Sequence, residues 1–341
     1  MTTTHHSDAA TVLKPAQAPV RRLWPLAPAT ALLGGCEGIQ STFSAFGAEA
    51  ESIRSLTLGM AIAAAVITLG VLWLAWHAVR APAGRLDHRG GMRVILWFGA
   101  IGPTLLLTVL LVLSLPEMVP LSAAAGDLRI AVDGEQFWWR VRYHPTDSEP
   151  AETANEIRVP VGRTVVFALA SPDVIHSFWI PGLAGKLDMI PGRSNELVVR
   201  ATKEGIYRGV CAEFCGLSHA RMAFDVIAME PAAFDRWLAE LAQPAGGISD
   251  ADEGRRLFGD YGCDGCHAVR GHFAGSPIGP DLTRMGTRRS LAAGTLPMTQ
   301  AATSGFIRDP ALTKPGALMP SFRDMPPQDA DAIAAWLVEH R

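Results

Sequence analysis

Two thiols, an imidazole and a thioether lie within one run of twelve residues near the middle of the chain. The run reads Cys211-Ala-Glu-Phe-Cys215-Gly-Leu-Ser-His219-Ala-Arg-Met222, and a further imidazole, His176, lies 35 residues before the first thiol. Thiolate, thioether and imidazole are donors that suit copper. A mononuclear blue-copper site uses one Cys, two His and a weak Met, so the second Cys here predicts two thiolates bridging two copper ions.

Three other interpretations of this run stay open from the residues alone. Cys211 and Cys215 could form a disulfide in an oxidising compartment, although this leaves the nearby His and Met unexplained. Two Cys and two His could bind tetrahedral zinc, although a thioether is not a usual zinc ligand. Met222 on its own could be a core residue that fills a gap. The five side chains together favour copper.

A second cluster, Cys263-Asp-Gly-Cys266-His267, has the spacing of covalent haem c attachment. The two thiols form thioethers with the porphyrin vinyl groups, and the adjacent His becomes an axial iron ligand. A thioredoxin-like redox pair is the alternative, but no βαβ pattern surrounds the cluster. We expect the sixth iron ligand to be a Met from a late loop. The candidates are Met285, Met298, Met319 and Met325.

Two uncharged apolar stretches, residues 55–79 and 94–116, precede both clusters. At ~1.5 Å per residue the first forms ~37 Å of helix, which is enough to cross ~30 Å of hydrocarbon. A buried core helix is the alternative, but two such segments so close together favour a transmembrane hairpin. By the positive-inside rule the connecting loop is predicted to be cytoplasmic and both flanks to lie outside. That loop contains four arginines and one acid: Arg80, Arg85, Arg89, Arg93 and Asp87.

The N-terminal region, residues 1–35, is predicted to be a lipoprotein-like signal peptide. Arg21 and Arg22 precede a short apolar stretch that Pro25 and Pro28 interrupt, which is too short to span a bilayer. The run that ends at Cys36, Leu-Gly-Gly-Cys, resembles the bacterial lipobox, which implies acylation of that thiol. An uncleaved tail with a chance Cys is the alternative.

The region after the second apolar stretch divides into a β-rich part and a helical part. Apolar residues rich in Val and Ile recur in short runs bounded by Gly, Pro, Asp or Asn, which predicts a sandwich or barrel. The runs are residues 128–132, 156–159, 164–168 and 196–200. An amphipathic helix with Phe234, Trp237 and Leu241 on one face closes this part. A linker rich in Gly and Pro then leads to a helical segment with long loops.

Composition limits the class of protein. Hydrophobic residues make up 49% of the 341 residues and charged residues 18%, which favours attachment to a membrane. The net charge of −3 leaves no polybasic surface for nucleic acid. The chain has five cysteines, and each already has a chemical role in the predictions above, so none is left for a structural disulfide.

The run from Cys211 to Met222 resembles the CuA signature of cytochrome c oxidase subunit II. The resemblance continues in Ser171-Pro-Asp173, Lys186, Asp188 and Ile190-Pro-Gly-Arg193. It implies a cupredoxin-like all-β Greek-key barrel and a Mg²⁺ ion at the boundary with subunit I, held in part by the Glu213 carboxylate. It also implies a set of CuA ligands: His176, Cys211, the carbonyl of Glu213, Cys215, His219 and Met222.

Two positions depart from the family pattern. The aromatic strand reads Gln136-Phe137-Trp138-Trp139, so a Phe stands where the family has the Trp through which electrons arrive. Trp138 is the nearest replacement. Many relatives also carry a Glu at the start of the second span that feeds a proton channel, and residues 88–103 contain no acid.

The C-terminal part resembles an all-α class I cytochrome c domain. Its Met-Pro loop, Lys314-Pro-Gly-Ala-Leu-Met319-Pro320, implies that Met319 is the sixth ligand of the haem whose fifth ligand is His267. The whole chain then resembles subunit II with a fused cytochrome c, of the caa3 type. The predicted divisions are a signal peptide (1–35), a hairpin (36–125), a CuA domain (126–243), a linker (244–249) and a cytochrome domain (250–341).

This resemblance implies an electron relay from a donor, through haem c and CuA, to a haem–copper subunit I that reduces O₂ to water and pumps protons. Subunit III and cytochrome c, or another donor, are the further implied partners. The implied location is the bacterial inner membrane, crossed twice, with both redox domains on the outer side. The alternatives are a nitrous oxide reductase, a membrane-anchored electron carrier that works without an oxidase, and a quinol oxidase subunit II. No residue is assigned acid–base or nucleophilic catalysis.

The lipobox-like run yields the first testable prediction. We expect the purified subunit to begin at a diacylglyceryl-modified Cys36, because the run combines a short apolar stretch with small residues before the thiol. Mass spectrometry of the intact subunit measures this directly. A subunit that retains residues 1–35, or one that begins elsewhere with an unmodified Cys36, would contradict the prediction.

Overall fold

The computed structural model of the chain describes residues 38–339 except 83, 85, 86, 120, 145–150 and 245–251. The predicted signal peptide, Cys36 and nearly all of the linker lie outside the described residues. The helices are α1 (Ala48–Arg80), α2 (His88–Ser114), α3 (Pro231–Ala242), α4 (Glu253–Asp260), α5 (Gln300–Arg308), α6 (Pro310–Thr313) and α7 (Pro327–Glu339). The strands are β1 (Leu128–Glu135), β2 (Trp138–His144), β3 (Ala151–Ala154), β4 (Glu156–Pro160), β5 (Thr164–Ala170), β6 (His176–Trp179), β7 (Leu187–Met189), β8 (Asn195–Arg200), β9 (Gly205–Cys211), β10 (Ala223–Met229), β11 (Ser290–Leu291) and β12 (Leu296–Pro297).

The first two helices are long and apolar enough to cross a membrane. α1 has 33 residues and α2 has 27. The most apolar stretch of 18 residues in each helix contains no buried residue. α1 begins seven residues before the predicted span 55–79, and α2 begins six residues before the predicted span 94–116 and ends at Ser114. In α2 a π-helical turn, Ile95–Ile101, lies ahead of Pro103, and the Gly102 amide donates to the Trp97 carbonyl. The wider π-helical turn accommodates Pro103, which has no N–H to donate to the preceding turn of the helix.

The β-rich part forms a sandwich of two five-stranded sheets. Their strand orders are β3-β2-β1-β5-β8 and β4-β10-β9-β6-β7. The pairs β1–β5 and β4–β10 are parallel, and the other paired strands are antiparallel. The four predicted runs lie in β1, β4, β5 and β8, so the predicted all-β, cupredoxin-like class is confirmed. The predicted amphipathic helix is α3, and its Phe234 and Leu241 side chains are buried.

Aromatic rings fill the space between the two sheets. Trp139, Phe178 and Phe224 are fully buried, and their ring centroids lie 5.0–5.8 Å apart. Burying each of these side chains contributes roughly 1.5–3 kcal/mol through the hydrophobic effect. Gly209 allows this packing, because a methyl group there would lie 2.1 Å from Phe224 Cζ. The ends of β6 and β9 are therefore held by a close-packed core.

The C-terminal part is built on crossing helices, as predicted. Asp252 caps α4 by accepting a hydrogen bond from the Gly254 amide at 2.9 Å. Gly254 permits a close crossing with α7, since a methyl group there would lie 2.3 Å from the Ala332 carbonyl oxygen. Across this crossing the rings of Phe258 and Trp336 are 5.2 Å apart. Three large apolar side chains of α7 are buried: Ile333, Trp336 and Leu337.

The sandwich core yields a prediction about stability. Tyr143 is fully buried, and its hydroxyl accepts from the Arg158 amide at 2.7 Å and donates to the Arg158 carbonyl at 3.1 Å. We expect Tyr143→Phe to lower the free energy of unfolding by about 1–3 kcal/mol, because two buried backbone groups lose their partner. Denaturant titration of the purified chain, followed by tryptophan fluorescence, measures this change.

Tyr207→Phe is the matched control. The Tyr207 hydroxyl makes one longer bond, 3.3 Å, to the exposed Glu204 carbonyl, so its loss should change the free energy of unfolding by less than about 0.5 kcal/mol. Equal effects of the two substitutions would show that the buried hydroxyl of Tyr143 has no special role.

Candidate metal centres

Neighbouring strands of the second sheet bring the first cluster together. His176 opens β6 and Cys211 ends β9, and these strands pair antiparallel with Phe178 opposite Cys211. The chain then turns through a 3₁₀ segment, His219–Arg221, and returns in β10 beside β9. The Cys211 amide donates to the Met222 carbonyl at 3.0 Å. The donors that stand 35 residues apart in sequence therefore meet at one end of the sheet.

The donor atoms form a compact group. The Sγ atoms of Cys211 and Cys215 are 3.9 Å apart. His176 Nδ1 lies 3.8 Å from the first sulfur, and His219 Nδ1 lies 3.7 Å from the second. Met222 Sδ lies 3.8 Å from Cys215 Sγ. The two sulfurs are therefore in the centre, with one imidazole on each side.

A backbone oxygen and two free thiols complete this geometry. The Glu213 carbonyl lies 3.2 Å from Cys211 Sγ, while the Glu213 carboxylate belongs to an exposed side chain. A disulfide between Cys211 and Cys215 is absent, since its sulfurs would be ~2.05 Å apart. Two buried soft sulfurs with a thioether and two imidazoles fit a pair of copper ions better than one tetrahedral zinc ion.

Asp173 orients the first imidazole. Its Oδ1 contacts His176 Nε2 at 2.9 Å, so Nδ1 faces the sulfur pair. The same carboxylate accepts from the amides of Gln136 and Val174 at 2.7 and 2.6 Å. Burial alone would raise the pKa of Asp173, but the bonds to His176 and the two amides hold it below its usual value. A charged carboxylate behind a ligand imidazole is a common arrangement at metal sites.

The two thiols differ in acidity. A hydrogen bond from Cys215 lowers the pKa of Cys211 to about 3, despite its burial, and His176 adds to the effect. The pKa of Cys215 is raised, first because it donates to the Cys211 thiolate and then because it is buried. For His176, burial favours the neutral form, but contacts with Cys211 and Asp173 outweigh it and raise the pKa. The pocket thus stabilises a thiolate, which is the form that binds metal.

The second cluster lies on the turn after α4. Cys263 and Cys266 flank a 3₁₀ turn, and both thiols are free and half-buried. His267 Nδ1 donates to the Pro280 carbonyl at 2.8 Å, which leaves Nε2 for a metal. Burial lowers the pKa of His267, so the imidazole is neutral. A methyl group at Gly279 would lie 2.6 Å from this ring, so the glycine allows the backbone to cover the imidazole. This donor set fits haem c.

The four candidate methionines occupy different places. Met285 and Met325 are buried in the hydrophobic core of the cytochrome part, where they serve as packing, and Met298 is half-buried against it. Met319 is half-buried in the loop between α6 and α7. Its role as the sixth ligand remains a prediction.

The aromatic pair at the start of β2 also differs in exposure. Phe137 is buried, with 4% of its surface exposed, whereas Trp138 is half-buried and Arg140 lies over its ring at 4.6 Å. Asp173 and the buried Lys314 had no role predicted from the sequence. The position of Asp173, three residues before His176 in a short loop, was a signal for its contact with the imidazole. No local sequence pattern indicates that Lys314 is buried.

Comparison with known proteins agrees with both clusters. Residues 141–229 match the family model described as the periplasmic domain of cytochrome c oxidase subunit II. Residues 251–341 match the family model for cytochrome c. The first match contains all the side chains of the sulfur cluster, and the second contains the Cys-x-x-Cys-His motif and Met319. These families imply CuA and haem c respectively.

Curated relatives carry the same family name. Cytochrome c oxidase subunit 2 of Alkalihalophilus pseudofirmus is 40% identical over 212 residues, which cover 61% of this chain and 60% of that protein. The protein of the same name from Bacillus subtilis is 32% identical over 238 residues, 64% of this chain and 66% of its own length. The matches thus span about two thirds or less of those relatives.

A solved structure provides a third comparison. The periplasmic domain of subunit II of cytochrome oxidase from Bradyrhizobium japonicum is 31% identical and covers 35% of this chain and 96% of that one, with a TM-score of 0.33. With a sulfur-rich cluster in a cupredoxin-like sandwich, a haem-attachment motif in a helical domain and a match to each family, the chain belongs to the cytochrome c oxidase subunit II family, in the form that carries a cytochrome c domain.

Proposed function

We propose that this chain is the subunit through which electrons enter a haem–copper terminal oxidase. One observation carries the proposal: a single chain contains a buried pair of cysteines 3.9 Å apart, flanked by two imidazoles and a thioether, and a separate Cys-x-x-Cys-His motif. When bound, CuA and haem c each carry one electron at a time. The protein itself supplies ligands, burial and position rather than acid–base groups.

In this proposal five side chains and one carbonyl hold the copper pair. The thiolates of Cys211 and Cys215 and the Nδ1 atoms of His176 and His219 would hold the two ions, and Met222 Sδ and the Glu213 carbonyl would be weaker ligands. Their placement around one sulfur pair supports this set. A magnesium site is not supported: the described residues include one cluster of three or more His, Cys and acidic ligands, and it omits the Glu213 carboxylate.

The haem is proposed to be attached through Cys263 and Cys266. His267 and Met319 would bind its iron, and the Pro280 carbonyl fixes the imidazole tautomer. Haem ligation by His and Met favours a high potential, which suits a carrier that donates to CuA. The external donor is proposed to be cytochrome c or another periplasmic carrier, and subunits I and III are the proposed partners.

Contacts before α1 support the proposed sidedness. Phe46 is fully buried against the β-sandwich, where its ring stacks on Tyr207 at 3.3 Å and its amide donates to the Gly182 carbonyl at 2.7 Å. The chain just before α1 therefore lies on the same side of the hairpin as the sandwich. Arg80, Arg89 and Arg93 lie at its other end, which the positive-inside rule assigns to the cytoplasm. Both redox domains are thus proposed to lie outside.

Purification from native membranes tests the whole proposal. An affinity tag on this chain should co-purify a haem-bearing subunit I together with oxygen consumption that depends on a reduced donor. Recovery of this chain alone, with both its metals but no oxidase activity, would favour a membrane-anchored carrier that works without an oxidase.

The copper site yields a prediction about its supporting carboxylate. We expect Asp173→Asn to lower copper affinity by about 10–100-fold, because the carboxylate orients and polarises the His176 ring. The mixed-valence EPR signal should keep its shape at saturating copper, since all ligands remain. Cys215→Ser, by contrast, should lose that signal while haem c is still attached.

Copper titration against a competing chelator measures the affinity. Asp235→Asn is the matched control, because that carboxylate is exposed and pairs with Arg163 at 2.9 Å far from the cluster. Copper affinity of Asp173→Asn equal to that of the control would show that the carboxylate does not support the site.

The haem site yields a prediction about its sixth ligand. We expect Met319→Ala to keep the covalent haem but to lose the sulfur–iron absorption band, and to slow oxidation of the natural donor at least tenfold. CuA should remain intact and reducible by a small artificial donor. Met298→Ala is the control for loss of a half-buried methionine from the same domain.

Stopped-flow absorbance follows both metals separately. If the natural donor reduces CuA in Met319→Ala at the wild-type rate, then haem c is not an obligatory carrier, and the order of electron flow proposed for this chain is wrong.

A further inference from the structure

The loop that carries Met319 packs directly on the loop that carries the copper ligands. Ser218, next to His219, donates to the Pro315 carbonyl at 2.8 Å, and the Arg221 guanidinium donates to the Thr313 carbonyl. A methyl group at Gly316 would lie 3.3 Å from Leu217 Cδ1. The two proposed metal centres therefore meet through their own ligand loops rather than through distant parts of the domains.

Lys314 enters the β-sandwich at this contact. Only 4% of its surface is exposed, and its ammonium donates to the Phe137 carbonyl. The acceptor is a backbone oxygen rather than a carboxylate, so the charge is buried with little compensation, and burial lowers the pKa of Lys314 to about 7. Burying such a group has a considerable cost in free energy. The bond from its ammonium to the Phe137 carbonyl offsets part of this cost, and that bond forms only in this one arrangement of the two domains.

Phe137 lies between the two loops. A methyl group at Gly216 would lie 3.1 Å from the ring, and one at Gly316 would lie 3.4 Å from it. Both glycines have positive φ, 127° and 81°, which other residues adopt with strain. One aromatic ring thus separates the backbone next to Cys215 from the backbone three residues before Met319.

Other polar contacts extend the interface on either side of this point. Side chains and amides of one domain bond to backbone or carboxylate oxygens of the other. The pairs are Arg140 with the Pro277 carbonyl (2.6 Å), Arg208 with the Gly294 carbonyl (3.0 Å), the Arg289 amide with Glu156 (2.9 Å) and the Ala223 amide with the Ala293 carbonyl (3.2 Å). So many directional bonds indicate one defined docking geometry.

We infer that Lys314 is a positioning residue that fixes the cytochrome domain on the β-sandwich, with the Phe137 ring as the layer between the two ligand loops. The inference rests on the proposed function and goes beyond it, because a tether alone would leave the cytochrome domain free to move. The loop with Cys215 would hold part of the copper pair and the loop with Met319 would hold the haem iron, so an electron that passes from haem c to CuA would cross this layer. The ring therefore lies inside the chain's own interface, and the external donor approaches the cytochrome domain elsewhere.

Substitution of Lys314 in the full-length, metal-loaded chain tests the inference. In Lys314→Met we expect the Ala223 and Arg289 amides, which donate across the interface, to exchange hydrogen at least tenfold faster. Arg256→Met is the matched control, because it removes one positive charge from an exposed site of the same domain. In Arg256→Met the Ala223 and Arg289 amides should exchange hydrogen at the wild-type rate. Equal exchange in Lys314→Met and the control would overturn the inference.

Rapid kinetics separate positioning from general damage. In Lys314→Met, reduction of haem c by a small donor should keep its rate, and the CuA spectrum should be unchanged, while transfer from haem c to CuA slows at least tenfold. If Lys314→Met fails to incorporate haem, Ser218→Ala removes the neighbouring bond to Pro315 and should slow the same step about threefold. An unchanged transfer rate in whichever variant folds would overturn the inference.

The same measurements distinguish this inference from the proposed function. If the wild-type chain binds both metals but haem c does not reduce CuA, the proposed function fails, whatever the hydrogen exchange shows. If the wild-type chain transfers the electron and the Lys314 variant transfers it equally fast, only the role of Lys314 fails.

Discussion

The antiparallel closure of β9 on β10 is the constraint on which the proposed copper site depends. The bond from the Cys211 amide to the Met222 carbonyl joins the first and last proposed ligands of the loop at its base. With the base fixed, the ten residues between them must turn back within a few ångströms, which places Cys215 and His219 beside the first sulfur. Pairing of β9 with β6 then brings in His176. A close-packed aromatic core holds these strand ends rigid.

Electrostatics in this pocket follow from its burial. Two thiols 3.9 Å apart cannot both be ionised easily in an apolar environment, so one is held as a thiolate and the other as a thiol. Two copper ions would compensate both negative charges at once. Asp173 lies behind His176 and offsets positive charge on the other side of the imidazole. The protein thus presents a preorganised, electron-rich site that favours soft cations.

The contact between the two domains has a different physical basis. Its bonds are mainly to backbone oxygens, which are fixed by strands and turns, so they define geometry more strongly than flexible ion pairs would. The positive partners come from both sides: Arg140, Arg208 and Arg221 from the sandwich and Lys314 from the cytochrome domain. At the centre of the interface, Gly216 and Gly316 let the backbones of both ligand loops approach the Phe137 ring. Such an interface combines short separation with a single orientation, which rapid electron transfer between bound metals requires.

The sequence by itself determined the classes of domain and pointed to the proposed metal chemistry. Residue type and local spacing were enough for the haem motif, the copper-type loop, the two apolar helices and the amphipathic face of α3, because each of these signals is contained within a few turns or one loop. Tertiary structure alone decided where the Phe137 and Lys314 side chains lie, and it brought the Asp173 carboxylate to the His176 ring. Phe137 was expected to be a lost contact for an external donor, whereas its ring lies buried between two glycines of different domains. Lys314 is separated from its acceptor by 177 residues, and a lysine in a polar loop is ordinarily solvated. Contacts between domains depend on shape over long sequence separations, so no local pattern encodes them.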